Sequence, residues 1–263
     1  MGEPFNQEKR TPVCLTIGGS DSCAGAGIQA DLRVMHALGV HGCSAITALT
    51  AQSYRQIDHI EYVSTIHLHH EITTIFRDYD VRSVKTGMLA HAAHVEMIAK
   101  VMQEQALLPW VIDPVMISST GQPLLDVLGK QEAASKLFPH ASLVTPNIPE
   151  AEYFLEHRIR EPRQAAQKLA DHWNTPVLLK GGHNLSTLID TLAMPGSMTH
   201  QWSHPPLQLN HAAAHGTGCR LASAIAVYLS QAYPLVEAVN LGMIWLQQDL
   251  RTSLQQQQDD PLH

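Results

Sequence analysis

The sequence predicts an α/β protein in which a mostly parallel sheet is covered by helices on both faces. Two observations predict this class. Up to Lys180, short apolar runs alternate with segments whose apolar residues recur at helical spacing, which is the pattern of strands joined by crossover helices. In addition, 44% of the 263 residues are hydrophobic and 16% are charged, which is sufficient for a sizeable buried core.

The elements follow one another in a regular order. The apolar runs predict strands at residues 13–17, 43–49, 81–85, 110–113, 142–145 and 177–180. The amphipathic segments predict helices at residues 28–38, 65–77, 92–104, 126–137 and 163–173. After Lys180 the order changes: two further strands, which could be antiparallel, are predicted at 188–193 and 201–209, and two helices at 217–230 and 235–250.

No linker-like stretch divides the chain, so one domain is expected over residues 13–252, with flexible segments at 1–12 and 253–263. The net charge of -7 argues against a nucleic-acid or anionic-membrane partner. The four cysteines include no CxxC pair, which favours reduced thiols. The first twelve residues contain no apolar signal core, and no apolar run approaches membrane-spanning length. We therefore expect a cytoplasmic protein.

The loops that follow the strands carry the candidate chemistry, because ligands of open parallel sheets bind at the carboxyl ends of strands. The first loop runs GGSDSCAGAGIQAD from Gly18 to Asp31. Its glycines permit tight turns and close approach to a ligand. The match to a GxGxxA dinucleotide fingerprint is weak, because that fingerprint needs an acidic residue after the second strand and this chain has Thr50-Ala51-Gln52 there.

A second glycine loop precedes the helix predicted at 217–230. Gly216-Thr217-Gly218-Cys219 places two glycines and a hydroxyl at a helix N-terminus, where free N–H groups can bind an anion. The Cys219 thiol in that first turn is expected to have a lowered pKa. The alternative is an ordinary capped helix with a buried cysteine, and we favour the anion site.

Three more strand ends are rich in polar residues. Asn147 and Glu150 are spaced to meet on one helical turn, which suits a Mg²⁺–water shell but suits a capping box better when taken alone. Asp113 could hold a metal or phosphate partner or simply cap its loop. Glycine loops also follow Lys85 and Lys180.

Two patterns exclude other sites. No GxxxxGK[ST] sequence is present, so a P-loop nucleotide site is excluded. The densest histidine cluster, HLHHE at residues 67–71, does not have HExxH spacing, and a solvated helix face is favoured over a zinc site.

Taken in order, the segments TIGGSDSCAGAGIQADL, GVHGCSAITALTAQ, VKTGMLA, VIDPVM, LVTPNIPEAE, LLKGGH and HGTGC resemble the hydroxymethylpyrimidine/phosphomethylpyrimidine kinases of thiamine biosynthesis. The resemblance covers residues 13–228. It implies a ribokinase-like three-layer sandwich, ATP and Mg²⁺ as cofactors, a small pyrimidine substrate and a homodimer. It further implies transfer of phosphate to 4-amino-5-hydroxymethyl-2-methylpyrimidine and then to its monophosphate.

The resemblance also implies roles for particular residues. The pyrimidine pocket would include Gly18, Asp31, Gln52, Met88 and Val115, with the Gln52 amide pairing with the aminopyrimidine edge. The catalytic anion hole would include Gly216, Gly218 and Cys219, where Cys219 stands in place of the aspartate base of related sugar kinases and is expected to orient the hydroxyl more than to deprotonate it. The nucleotide and metal would be held by Asn147, Lys180, Gly182 and Thr217, with Glu150 and Asp113 toward the metal.

The chain departs from the family pattern mainly on the phosphate side. Ala213-Ala214 replaces Asn-Thr before HGTGC, Arg220 replaces Thr or Ser after it, and Ser119-Thr120-Gly121 replaces Lys-Ser-Gly. In the first loop, Cys23-Ala24-Gly25 stands where Ser-Gly-Gly is common. We hypothesise that Arg220 restores a lost phosphate-facing charge. A pyridoxal kinase and a catalytically weakened, pyrimidine-binding relative remain as alternatives.

Overall fold

A computed structural model describes residues 12–53, 55–118, 121–181, 188–197, 199–205 and 215–258. Within these residues the strands form a single nine-stranded sheet in the order β3-β2-β1-β4-β5-β6-β7-β8-β9. The strands are β1 (Pro12–Asp21), β2 (His41–Gln52), β3 (Ile57–Tyr62), β4 (Asp80–Thr86), β5 (Trp110–Ile112), β6 (Leu143–Val144), β7 (Val177–Leu179), β8 (Leu188–Ala193) and β9 (His200–His204).

The sheet is parallel in its middle and antiparallel at both edges. β1 pairs in parallel with β2 and β4, and the parallel pairing continues through β5 and β6 to β7. β3 is antiparallel to β2, and β8 and β9 are antiparallel additions at the other edge. The chain proceeds toward one edge after β1 and toward the other after β4, so strand order reverses between these two strands. In open α/β sheets this reversal is where a ligand crevice forms.

Helices cover both faces, which confirms the predicted three layers. The helices are α1 (Gly27–Ala37), α2 (Thr65–Asp78), α3 (Ala92–Glu104), α4 (Val127–Glu132), α5 (Ile148–Leu155), α6 (Pro162–Trp173), α7 (Thr217–Ser230) and α8 (Leu235–Gln258). The first, seventh and eighth helices pack on one face, over a core that includes Met35, Val111 and Ile225. The second to sixth pack on the other, over a core that includes Ile98, Phe138 and Trp173.

Several element boundaries differ from the sequence prediction. β3 was missed, because it is a six-residue edge strand with mostly exposed, polar side chains. α5 is too short to show a helical period, and only its cap motif indicated it. The segment predicted as one helix at 126–137 changes to a π-helical turn over Ala133–Leu137. The last helix continues through Gln258, past residue 250, where the sequence predicted its end.

Two further expectations concern the surroundings of the protein. All four cysteines are free thiols, as predicted from their spacing. Within the residues that the structure describes, no helix combines the length and apolar character needed to cross a membrane.

Candidate active site

The main cavity lies at the carboxyl ends of the parallel strands, beside the reversal of strand order. Its volume is about 300 Å³. It is lined by residues from the ends of β1, β2, β4, β5 and β7 and from the N-terminal turns of α1, α5 and α7. They are Gly18, Gly19, Ser20, Asp21, Ala26, Gly27, Asp31, Thr50, Gln52, Lys85, Gly87, Met88, Asp113, Val115, Ile117, Ser118, Leu124, Asn147, Glu150, Lys180, His215, Gly216, Thr217, Gly218 and Cys219. Most residues predicted from separate motifs therefore meet in one cavity.

One side of the cavity is formed by apolar side chains that lie close to the glycine backbone of β1. Met88 is 8% exposed and packs with Leu124 and Val115. A Cβ atom at Gly19 would lie 2.9 Å from the Met88 Sδ atom, so the glycine lets the methionine approach the β1 backbone. Together with Gly18, these residues line one side of the cavity, referred to below as the Met88 slot. A planar aromatic ring is the type of ligand that such a slot accepts.

The two glycine loops interlock above this slot. Gly27 and Gly216 both have left-handed φ angles, +61° and +76°, which favour glycine. A Cβ at Gly216 would collide with the carbonyl oxygen of Gly25, and a Cβ at Gly27 would lie 2.5 Å from the carbonyl oxygen of Gly19. The loop after β1 and the loop before α7 are thus held in backbone contact, although they are distant in sequence.

A polar chain that the sequence analysis missed joins these loops. The Asp21 carboxylate accepts hydrogen bonds from the backbone N–H groups of Cys23 (3.0 Å) and Ala26 (2.8 Å) and lies 2.9 Å from His215 Nε2. Burial opposes ionisation of Asp21, but these hydrogen bonds, that from His215 above all, hold its pKa below the usual range. His215 Nε2 is also 3.3 Å from the Gln52 amide nitrogen.

Cys23 lies beside this pair. Its sulfur, His215 and a carboxylate oxygen of Asp21 lie within 4.8 Å of one another, which is a possible set of metal ligands. However, the carboxylate oxygens already accept from two backbone N–H groups and face the imidazole. We therefore interpret the group as a hydrogen-bond network. The sequence signal for it was present, because Asp21 ends β1 and His215 immediately precedes the second glycine loop.

The N-terminus of α7, where the sequence predicts an anion site, lines the cavity. Gly216 is its N-cap, and no side chain within the described part of the chain caps it. The first-turn N–H groups, at Thr217, Gly218 and Cys219, point toward the cavity end of the helix, where they have no intrahelical acceptor. This geometry is what an oxyanion or phosphoryl group requires.

The predicted lowering of the Cys219 pKa is wrong. Burial raises the pKa of this thiol to about 12, and the carboxylates of Asp113 and Asp31 add to the increase, whereas Lys85 and Lys180 oppose it. Cys219 is therefore a neutral thiol near neutral pH, and its role in orienting the hydroxyl stays a prediction.

Beside the anion site lies a charged cluster from the ends of β5, β6 and β7. Lys180 Nζ is 2.7 Å from Asp113 Oδ1, and a Cβ at Gly218 would lie 3.1 Å from the same ammonium. Burial opposes the charge on Lys180, but Asp113 and Glu150 raise its pKa above the usual range. Lys180 thus places a positive charge directly against the anion loop.

Glu150 and Asn147 form the capping box of α5. Glu150 Oε2 accepts from the Asn147 N–H at 2.8 Å, and Asn147 Oδ1 accepts from the Glu150 N–H at 2.9 Å. Glu150 is 7% exposed and lines the cavity, and burial raises its pKa to about 7, with Asp113 adding to the shift and Lys180 opposing it. The carboxylates of Glu150 and Asp113 are hard oxygen donors on one wall, which fits the ligand preference of Mg²⁺.

Asp31 lies at the floor of the cavity, where its oxygens are already occupied. The carboxylate accepts from Lys85 Nζ at 2.8 and 3.0 Å, from Thr16 Oγ1 at 2.6 Å and from Ser223 Oγ at 2.7 Å. Asp31 and Lys85 are essentially inaccessible to solvent. Asp31 therefore supports the pocket from below, and Lys85 places a second positive charge near Cys219.

Arg220 is directed elsewhere. Its guanidinium donates to Asp249 of α8 at 2.8 Å, and it is not among the residues that line the cavity. This contact does not support the hypothesis that Arg220 replaces a phosphate-facing charge, which stays a prediction. Gly182 and the altered positions Ser119, Thr120, Ala213 and Ala214 lie outside the described residues.

The fold and this cavity together define a small-molecule kinase of the ribokinase-like class. The phosphomethylpyrimidine kinase family model matches residues 21–262, so the chain belongs to this family. The kinase class, the family and the three-layer architecture predicted from the sequence are thereby confirmed.

Individual relatives agree with this assignment. The chain is 42% identical over 240 residues to the thiamine biosynthesis bifunctional protein ThiED of Geobacter sulfurreducens, covering 89% of the chain and about half (49%) of that longer protein. It is 37% identical over 231 residues to the hydroxymethylpyrimidine/phosphomethylpyrimidine kinase of Streptomyces coelicolor, covering 87% and 84% of the two chains.

Two solved structures share the fold. The phosphomethylpyrimidine kinase of Clostridium difficile has a TM-score of 0.79 and 34% identity, with 92% of this chain and 100% of that chain covered. The pyridoxal kinase of Staphylococcus aureus, in complex with pyridoxal, has a TM-score of 0.80 and 26% identity, covering 90% and 87%.

Proposed function

We propose that this protein transfers phosphate from ATP to the hydroxymethyl oxygen of 4-amino-5-hydroxymethyl-2-methylpyrimidine and then to the resulting monophosphate, giving the diphosphate used in thiamine synthesis. One observation carries the proposal: the anion-binding N-terminus of α7 opens into the same cavity as the Met88 slot and the Gln52 amide. A flat ring in the slot would present its hydroxymethyl group toward the anion site.

The chemistry required of the protein is mainly positioning and charge neutralisation. In the first transfer, a bond forms between the hydroxymethyl oxygen and the γ-phosphorus while the bond to the β–γ bridging oxygen breaks. The N–H groups of Thr217–Cys219 and the Lys180 ammonium would stabilise the transferring group. In a loose transition state the hydroxyl keeps its proton until late and then passes it to an oxygen of the transferred phosphoryl group, so a neutral Cys219 thiol is sufficient beside it.

The second transfer is less demanding, because the attacking atom is a phosphate oxygen that carries no proton to remove. Asp113 and Glu150 would hold Mg²⁺, whose chemistry when bound is to neutralise charge on the phosphates. Asn147 and Thr217, which line the same wall, would contact the nucleotide, and Gly182 is assigned this role from the family resemblance alone.

Phosphorus NMR tests the proposal directly. Purified protein is incubated with Mg-ATP and either the pyrimidine or pyridoxal. A monophosphate ester followed by a pyrophosphate ester from the pyrimidine supports both steps. Ester formation with pyridoxal alone would instead establish the alternative kinase, which the structural similarity to the Staphylococcus aureus enzyme makes the second candidate. Binding of the pyrimidine in calorimetry without ester formation would indicate a silent, pyrimidine-binding relative.

We also propose a cytoplasmic homodimer. The free cysteines suit a reducing compartment. The antiparallel β2–β3 pair ends the sheet with exposed apolar side chains, Leu49 (48% exposed) and Tyr62 (50% exposed), which a second copy could cover. Light scattering coupled to gel filtration distinguishes this dimer from a monomer.

A further inference from the structure

The orientation of the Gln52 side-chain amide can be determined from the hydrogen-bond donors and acceptors of its two neighbours. The amide oxygen and nitrogen of a glutamine have nearly the same shape, so the hydrogen-bond partners decide which atom faces which neighbour. The Gln52 amide is placed with its nitrogen 3.3 Å from His215 Nε2 and its oxygen 3.2 Å from Thr50 Oγ1, and the protons of these two neighbours require the nitrogen and oxygen to be exchanged. Each neighbour is independently constrained.

His215 Nε2 carries a proton. The atom lies 2.9 Å from Asp21 Oδ2, and the Asp21 carboxylate already accepts from the backbone N–H groups of Cys23 and Ala26. An ionised carboxylate has only acceptors, so His215 must donate to it through Nε2–H. The same N–H can be shared only with an acceptor, and the end of the Gln52 amide that faces His215 is therefore the oxygen.

Thr50, at the other end of the amide, requires the same orientation of Gln52. Its hydroxyl lies 2.9 Å from the carbonyl oxygen of Ser20, to which it must donate its single proton. Toward Gln52 the hydroxyl can therefore only accept, and the end of the amide that faces Thr50 is the NH₂ group. The two neighbours, one on each side of Gln52, require the same orientation.

We propose that Asp21 and His215 are positioning residues that lock the Gln52 amide in one orientation, and that this lock makes the enzyme select a 4-amino over a 4-oxo pyrimidine. The inference rests on the proposed function, in which Gln52 pairs with the edge of the pyrimidine. A 4-aminopyrimidine presents an amino donor beside a ring-nitrogen acceptor. A 4-oxo analogue presents an oxygen acceptor beside a ring N–H donor, which is the reverse.

A locked amide fits only one of these edges. Its oxygen accepts from the exocyclic amino group and its NH₂ donates to the ring nitrogen, each using capacity left over from the contacts with His215 and Thr50. With the 4-oxo compound, the amide oxygen would face the 4-oxo oxygen and the amide NH₂ would face the ring N–H, unless the amide rotated. Rotation would in turn place the NH₂ group against His215 Nε2–H. Discrimination by one such amide pair is typically about 5- to 150-fold.

The experiment compares kcat/KM and Kd for the 4-amino compound and its 4-oxo analogue in three proteins. His215→Leu removes the donor and frees the amide, so we expect the 4-amino preference to fall about tenfold or more relative to wild type. His215→Gln places an NH₂ group that can donate to both Asp21 and Gln52, so we expect it to retain the preference within about threefold.

The outcomes separate this inference from the proposed function. Phosphorylation of neither pyrimidine by wild type would refute the function itself. Turnover of the 4-amino compound, with a preference that His215→Leu leaves unchanged in folded protein, would refute the lock alone. If His215→Leu shows no turnover, calorimetry measures the Kd values of the 4-amino and 4-oxo compounds instead. A ratio of these Kd values that is unchanged from wild type would likewise refute the lock. Nitrogen NMR that shows His215 Nε2 without a proton in wild type would also overturn the inference, independently of activity.

Discussion

Glu150 combines two roles at the scale of a single residue. Its carboxylate closes the capping box of α5 through the Asn147 N–H, and it also lines the phosphate side of the cavity. Burial, with Asp113 close by, raises its pKa to about 7. Glu150 is therefore partly protonated near neutral pH, and a cation bound beside it would favour the ionised form.

The first prediction concerns the stability of Glu150→Gln. Because the folded state holds the Glu150 proton more tightly than the unfolded state, folding takes up a proton between pH 4.5 and about 7. The wild-type free energy of unfolding should consequently fall relative to the variant as pH rises through this window, by up to about 3 kcal/mol. Glutamine can still accept from the Asn147 N–H, so the cap is retained.

Urea unfolding at pH 5, 6, 7 and 8 measures this difference. Glu104→Gln, at an exposed position near the end of α3, controls for the loss of one carboxylate. A difference between wild type and Glu150→Gln that is constant over the whole range would contradict the raised pKa.

The sequence predicted the local geometry of a candidate residue where a short motif determined it. The capping box was foreseen because Asn147 and Glu150 are three positions apart, and the spacing alone decides that geometry. The Asp21–His215 contact was not foreseen, since it joins residues 194 positions apart. The raised pKa of Cys219 was missed for a related reason: the local helix terminus suggested a lower pKa, whereas burial, the largest contribution, depends on the tertiary fold.

At the scale of elements, the two glycine loops act as one unit. The backbone of Gly216 contacts Gly25 so closely that no side chain fits between them, and His215 packs against Gly25 in the same way. The position of α7, and with it the anion site, therefore depends on the loop after β1. The long parallel strands were predictable from apolar runs, but β3 was not, because an exposed edge strand carries little apolar signal.

The second prediction separates two effects of replacing a glycine by alanine: the strain of a left-handed φ angle and the steric collision of the new Cβ atom. Gly216→Ala must adopt a φ near +76° and place its Cβ against the Gly25 carbonyl. Gly39→Ala has the same strain, with φ +74°, but nothing lies within 4 Å of its Cβ. We expect Gly39→Ala to cost about 1–2 kcal/mol of stability with kinetics unchanged. Gly216→Ala should cost more and should lower kcat/KM by about 100-fold or more.

Thermal or urea unfolding together with steady-state kinetics measures both variants. Equal behaviour of Gly216→Ala and Gly39→Ala in both assays would show that contact between the loops does not position the anion site.

At the scale of the whole molecule, one buried charge pair ties the sheet to a helical layer. Asp31 of α1 accepts from Lys85 of β4, Thr16 of β1 and Ser223 of α7, so four elements meet at one carboxylate directly beneath the cavity. The alternation of strands and helices predicted the layers. It could not predict this junction, because the partners lie in four separate segments and each residue alone is typical of a surface.

The last prediction tests the junction by removing one charge and then both. Lys85→Met leaves the Asp31 carboxylate buried without its cation, which should cost about 3–5 kcal/mol in the free energy of unfolding. Adding Asp31→Asn removes the uncompensated charge and keeps an acceptor for one of the two hydroxyls, since Thr16 donates to Oδ2 and Ser223 to Oδ1. The double variant should therefore be more stable than Lys85→Met. Lys136→Met, which breaks surface ion pairs with Glu96 and Glu132, should cost much less than Lys85→Met, because solvent screens exposed charges.

Urea unfolding of the four proteins at pH 7 gives these free energies, and similar denaturant slopes would show that the same surface is exposed in each. The comparison with Lys136→Met decides the outcome. If Lys85→Met costs no more than that surface variant, the buried pair does not hold β1, β4, α1 and α7 together. If the double variant is less stable than Lys85→Met, Asp31 stabilises the junction through its hydroxyl partners rather than through Lys85.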